Sequence, residues 1–192
     1  NGFYKVDSHE PTVSADNASS AWNTGTIGSI TLELSDASPG SGIQRAVYNW
    51  NDPASSSIGN SYSNGSAISI PGEGSNTLYL YVKDHAGHEA TWNGTYKQDI
   101  YEPSVSVDKN LSGWTTDDIG PITPTLTDNP PVSGTGSGIN WDLSKYSWND
   151  ETPLPLTDGM TVTIPQDGVN KLNITAYDNA LNKRTWARTY LQ

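Results

Sequence analysis

Asn76-Thr77-Leu78-Tyr79-Leu80-Tyr81-Val82-Lys83-Asp84 puts Leu78, Leu80 and Val82 on one side of an extended chain and Tyr79 and Tyr81 on the other. Strand side chains alternate between faces, so this spacing predicts a β-strand with one face in a core. Asp84-His85-Ala86-Gly87-His88 turns it, and residues 91–98 supply the next strand. Working outward, Ile30, Leu32 and Leu34 alternate with Thr31 and Glu33, a second half-buried strand. Pro11-Thr12-Val13-Ser14-Ala15 reads as an edge strand, because proline at a strand start removes no ladder bond. Ser38-Pro39-Gly40-Ser41-Gly42 is a turn, residues 43–50 a third strand, and Ile68 with Ile70, ended by Pro71-Gly72, a fourth. No stretch of useful length has a helical period.

The pattern then occurs again. Residues 93–103 match residues 1–11 at seven of eleven positions, at an offset of 92. Trp22 pairs with Trp114, Ile27-Gly28 with Ile119-Gly120, Leu34 with Leu126 and Asp36 with Asp128 at the same offset. The offset grows to 96 at Gly40-Ser41-Gly42-Ile43 against Gly136-Ser137-Gly138-Ile139, and to 98 at Tyr48 and Trp50 against Tyr146 and Trp148. It settles at 94, pairing Asn76 with Asn170, Asp84 with Asp178, Trp92 with Trp186 and Tyr96 with Tyr190. Loops have changed length while strands held, which is the mark of a repeated structural unit. The expected division is a last strand and linker of a preceding repeat over residues 1–8, one repeat over 9–99 and a second over 100–192. The leading fragment implies a longer parent array.

Composition bounds the rest. Apolar content of 33% and charged content of 16% are both low, yet seven Trp, ten Tyr and clean alternation speak against disorder and for thin β-layers. A net charge of −11 excludes a generic nucleic-acid binder, which needs basic surface to displace counterions. With no cysteine there is neither a disulfide framework nor a thiolate metal site. Asn17, Asn64, Asn93, Asn110 and Asn173 each start an Asn-x-Ser/Thr triplet, as expected by chance in a chain this rich in Asn, Ser and Thr. No membrane span is read in this stretch.

Short strands separated by Gly, Pro and Asn turns, about seven per unit, form the pattern of an all-β, immunoglobulin-like β-sandwich, here two in tandem. Asp-x-x-x-Pro at the linker, Trp22, Gly-Ser-Gly-Ile followed by Tyr-x-Trp, and Asn76-x-Leu-x-Leu-x-Val-x-Asp84-x-Ala-Gly followed by Tyr96-x-x-Asp99 resemble the tandem bacterial immunoglobulin-like (Big-type) repeats of cell-surface and secreted proteins. The resemblance covers both units. Leu181 departs from it by replacing the turn glycine Gly87, while Asn182 carries the asparagine that stands as His88 in the first unit. The resemblance implies a non-enzymatic, extracellular structural or adhesive repeat, a stalk or spacer. Its partners would be neighbouring repeats of the same polypeptide, a cell-surface glycan or protein, or further copies in an array. The alternative is a carbohydrate-binding accessory module of a secreted glycan-active enzyme.

Strand polarity gathers the acidic residues. The incoming linker and the turns after the second and sixth strands return to one pole, bringing together Asp7, Glu10, Asp36 and Asp84, and again Asp99, Glu102, Asp128 and Asp178, at the expected junctions between repeats. Oxygen-only carboxylate clusters suit Ca²⁺, which would stiffen such a junction. Alternatively these aspartates cap their own turns. His85-x-x-His88 is a weak transition-metal signal, since the second unit has Asn179 and Asn182 there. No catalytic elbow, thiol nucleophile or acid/base pair in a cleft is read. Tyr48, Trp50, Trp92 and Tyr96, with their counterparts, belong to the cores because both copies keep them. Tyr79, Tyr81 and Trp141, at outward or unrepeated positions, are the candidates for stacking on sugar rings.

Overall fold

The computed structural model describes residues 5–16, 19–130 and 134–192. The leading segment's expected strand falls partly on residues 1–4 and the first Asn-x-Ser/Thr triplet on Asn17, both outside the described residues. Among the described residues every regular element is a strand, and they fall into two units. Residues 1–21 and 27–97 form the first, residues 22–26 and 98–192 the second.

In the first unit, β1 (Thr12–Ala15), β3 (Ile30–Ser35) and β6 (Ala67–Ile68) make a sheet in the order β1-β3-β6. The second sheet is β2-β8-β7-β4-β5, from β2 (Ser19–Asn23), β4 (Ile43–Trp50), β5 (Asn60–Ser61), β7 (Gly74–Asp84) and β8 (Glu89–Gln98). Sequence neighbours β3 and β4 lie in different sheets, while β7 pairs back with β4, Leu80 opposite Tyr48 and Leu78 opposite Trp50. This split of strands between two layers is that of an immunoglobulin-like sandwich. Ile30, Leu32 and Leu34 from one sheet and Leu78, Leu80 and Val82 from the other meet in a single core cluster. Leu78 and Leu32 are fully buried, each such leucine contributing about 1.5–3 kcal/mol by removal from water.

The second unit repeats the plan with shorter elements. Here β9 (Ser104–Val107) pairs with β10 (Pro124–Thr127), and β12 (Leu154–Pro155), β11 (Lys145–Trp148), β13 (Val169–Tyr177) and β14 (Lys183–Leu191) form a sheet in that order. Three isolated bridges stand where the first unit has more strand: Ile122 with Val162, the counterparts of Ile30 and Ile68, Ile139 with Asp178, the counterparts of Ile43 and Asp84, and a parallel bridge of Trp114 with Leu191. Pro124 opens β10, a position where its missing N–H costs no ladder bond. Leu126, Ile122, Trp148, Leu172, Ile174, Ala176 and Tyr190 build the core.

The aromatic positions kept in both copies are core, as read. Trp50 meets Tyr96 edge-on with ring centroids 6.0 Å apart, and Trp148 meets Tyr190 in the same way at 6.0 Å. The sequence reading passed over β2 and β5. Ser-Ser-Ala-Trp-Asn has no apolar alternation, and the Asn60–Ser61 strand is exposed, so neither leaves a periodic signal.

Candidate functional site

Each unit carries a carboxylate pole, and the two poles are built by the same hydrogen bonds. In the first, Asp7 Oδ2 accepts the Ser41 N–H at 2.6 Å and Oδ1 the His9 N–H at 3.0 Å. Asp36 Oδ2 accepts the Gly42 N–H at 2.6 Å. Asp84 Oδ1 accepts from Gly87 at 2.6 Å and His88 at 2.9 Å, and the Ser41 hydroxyl oxygen accepts the Ala86 N–H at 2.9 Å. In the second, Asp99 accepts from Ser137 at 2.7 Å and Tyr101 at 3.2 Å, Asp128 from Gly138 at 2.6 Å and Asp178 from Asn182 at 2.8 Å. The Ser137 hydroxyl again takes the Ala180 N–H at 2.9 Å.

These bonds tie the incoming linker, the turn after β3 or β10 and the turn after the long β7 or β13 into one knot. The turns must come close. A Cβ on Gly40 would lie 2.7 Å from the Asp36 carboxyl carbon, and one on Gly136 would lie 2.5 Å from Asp128 Oδ2, so only glycine lets the carboxylate in. The Gly-Ser-Gly of both repeats is thereby explained: the first glycine admits the aspartate, the serine bridges two segments, and the second donates its N–H.

The copies differ in the closing turn, where the Gly87 N–H goes to Asp84 Oδ1 but the equivalent Leu181 N–H goes to the Asp178 carbonyl at 3.1 Å, and the next residue changes. His88 Nδ1 lies 2.8 Å from Asp84 Oδ2, whereas Asn182 Nδ2 donates to Asp178 Oδ2 at the same 2.8 Å and also to the Asp99 carbonyl at 2.9 Å. The exchange changes the electrostatics. Burial pushes the Asp84 carboxyl up, but the His88 bond and the turn N–H groups outweigh it and hold the group below its ordinary value. The carboxylate of Asp84 in turn raises His88. Hydrogen bonds from Ser41 and His9 bring Asp7 down to about 2. In the second unit burial dominates, raising Asp178 and pushing Asp128 up to about 6, with the charges of Asp99 and Asp178 adding to the rise.

Of the eight acidic residues singled out from the sequence, Asp99, Asp128 and Asp178 come together with an oxygen from each within 4.8 Å of the others, and Asp7 and Asp84 meet with His88 at the same spacing. Glu102 is exposed and pairs with Arg184 at 3.4 Å, and Glu10 is exposed. Asp36 stands beside its glycine turn with Oδ1 buried and unbonded. Five of the six carboxylate oxygens of Asp99, Asp128 and Asp178 already accept N–H bonds, so a Ca²⁺ ion, which takes six to eight oxygens, would share them with the turns.

The sugar-stacking candidates are less exposed than their positions suggested. Tyr81 is 6% exposed, Tyr79 is half-buried, and Trp141 packs against the second core. The exposed indole is Trp114, at 68%. A second shared feature escaped the sequence reading. Asn51 and Asn149, at φ 63° and 48°, each clamp the start of the long strand: Asn51 Oδ1 accepts the Thr77 N–H, and Asn149 Oδ1 the Lys171 N–H, both at 2.8 Å. The recurring Asn-Asp after each tryptophan was the available signal.

No family model matches the chain, and no curated protein matches it. Among solved structures the chain is similar to the Clostridium thermocellum CbhA fibronectin(III)-like modules, at 11% identity and a TM-score of 0.34 over 94% of each chain. The assignment of an immunoglobulin-like sandwich stands on the strand order and the two cores.

Proposed function

We propose that the chain is a spacer, two tandem modules of a bacterial extracellular surface protein that extend and hold a functional part rather than transform a substrate. One observation carries the reading: what the two copies share is scaffold. The carboxylate knot, the Asn51 and Asn149 clamps and the Trp–Tyr core pairs recur with their partners, while outward positions have drifted, Tyr79 to Asn173 and His85 to Asn179. Tandem modules kept for their bodies serve by being repeated, each contributing its own core to resistance against unfolding. Pulling the full chain in a force spectrometer tests this. Two separate unfolding events are expected, each releasing on the order of 300 Å of chain for about 90 residues at ~3.6 Å apiece. A single event, or extension without resolved unfolding steps, would overturn it.

A carbohydrate-binding accessory module is the second reading, favoured by Trp114 alone, whose exposed indole offers a flat apolar face of the kind that stacks on sugars. Binding of the full chain to a glycan array, abolished by Trp114→Ala, would establish it; an array without signal removes it.

A further inference from the structure

The three carboxyl groups of the second unit's pole present six oxygens, and the turns answer five of them. Tyr101 and Ser137 donate to Asp99, Gly138 to Asp128 Oδ2, and the backbone and side chain of Asn182 to Asp178. The sixth, Asp128 Oδ1, is buried with no donor. Asp99 and Asp178 are themselves fully buried. Packing three anions this closely without a counter-charge is unfavourable, because desolvation and mutual repulsion both act against the ionised state.

In the first unit Asp36 Oδ1 is likewise buried without a donor, but there the carboxylates of Asp7 and Asp84 gather with an imidazole instead of a third acid. His88 holds Asp84 at 2.8 Å, and its ring can carry a positive charge where Asn182 cannot. Around Asp128 the groups that weigh most are Asp99 from the linker and Asp178 from the turn before β14, both acidic. The turn at residues 136–138 brings backbone N–H groups and the neutral Ser137 hydroxyl, and the cations that open β14 are engaged elsewhere: Arg184 with Glu102, and Lys183 5.9 Å above the Tyr177 ring.

We infer that the folded second unit holds a proton on Asp128 Oδ1, shared with the Asp99 carboxylate, so that this unit tightens in mildly acidic surroundings while the first unit relies on His88. No oxidant, metal or other ligand is needed: the proton comes from solvent and returns to it. The sign follows from linkage. A carboxyl raised from 3.8 to about 6 on folding binds a proton more strongly when native, so stability falls as pH rises from about 4 to about 6 and is flat above. For His88, raised on folding, stability falls in a different window, as pH rises above 6.5 through the folded value. The two units therefore respond to pH in separate ranges.

The test is a carbon-detected NMR titration of the side-chain carboxyl groups in the full chain, with amide exchange of β13 followed alongside. The Asp128 carboxyl carbon is expected to titrate near pH 6, and β13 amides to exchange more slowly at pH 5 than at pH 7 after correction for intrinsic rates. In Asp128→Asn, whose amide can donate where the protonated acid did, that difference should vanish and protection at pH 7 should equal or exceed the parent's. Titration of Asp128 in the ordinary range near pH 4 would overturn the inference. So would millimolar Ca²⁺ increasing β13 protection at pH 7 in the parent but not in Asp128→Asn, which would assign the pole to a cation. The titration needs no variant, so the inference stays open to refutation if Asp128→Asn fails to fold.

Discussion

Asn182 closes on Asp178 with two donors at once, its backbone N–H at 2.8 Å to Oδ1 and its side-chain amide at 2.8 Å to Oδ2. His88 makes the same pair of contacts with Asp84, so the two residues are geometric equivalents that differ in whether they can hold charge. Replacing one by the other leaves the bonds and changes the pH response.

His88→Asn should flatten the alkaline side of the first unit's stability profile. The stabilisation from a raised histidine is present in full below pH 6.5 and is lost as pH rises through the folded value, so the parent should weaken in this range and the variant should not. Urea unfolding between pH 6 and 9 measures it; parallel slopes for parent and variant would refute the role of the ring charge. On the acid side, Asp7 at about 2 contributes above 3.8 and loses its contribution as pH falls toward 2.

Leu181 occupies a left-handed backbone conformation, φ 72°, where the first unit has Gly87 at φ 100°. A branched side chain there costs roughly 1–2 kcal/mol. Leu181 is 59% exposed, so removing it forfeits little burial. Leu181→Gly is expected to stabilise the second unit by about 1 kcal/mol after the added unfolded-state entropy is counted. Gly87→Leu should destabilise the first by a similar amount. Thermal unfolding of both variants decides; a loss on Leu181→Gly contradicts the strain argument.

Gly136→Ala should be far more damaging than Gly159→Ala. A Cβ at Gly136 meets Asp128 Oδ2 at 2.5 Å and the Asp128 carbonyl at 2.6 Å, whereas one at Gly159 meets nothing within 4 Å. The clash forces the carboxylate off the Gly138 N–H, a loss of about 2–3 kcal/mol for a charged acceptor. Gly159, at φ 67°, should cost about 1 kcal/mol from backbone strain alone.

Tyr190 is 1% exposed, stands edge-on to Trp148 at 6.0 Å and donates its hydroxyl to the Lys109 carbonyl at 3.1 Å. Tyr190→Phe should cost about 1 kcal/mol, the net value of one hydrogen bond, and Tyr190→Ala about 3–5 kcal/mol from the cavity. Equal losses in denaturant unfolding would show that packing around the ring does not matter.

Glu102→Ala provides the contrast within the acidic set. Its partner Arg184 and the carboxylate are both about half exposed, at 53% and 54%, and the N–O distance is 3.4 Å. Solvent-screened pairs of this kind contribute less than about 1 kcal/mol, so unfolding should shift little, and less still in high salt.

The repeat, the β class, the alternating cores and the paired aromatics were legible in the sequence, because burial on a pleated strand leaves a period of two and a duplicated unit leaves a constant offset. Pole membership was partly legible: chain polarity alone brings Asp7 to Asp84 and Asp99 to Asp128 and Asp178. Strand order cannot tell which acids turn inward. Only the tertiary structure left Glu10 and Glu102 in solvent, buried Tyr81, packed a half-buried Trp141 against the second core, and exposed Trp114, because these depend on what neighbouring segments lay over each position rather than on strand periodicity. It also decided the electrostatic state of the poles. A histidine and an asparagine differ by one letter in the sequence, but the charge each must balance is set by how tightly the turns pack three carboxylates out of water.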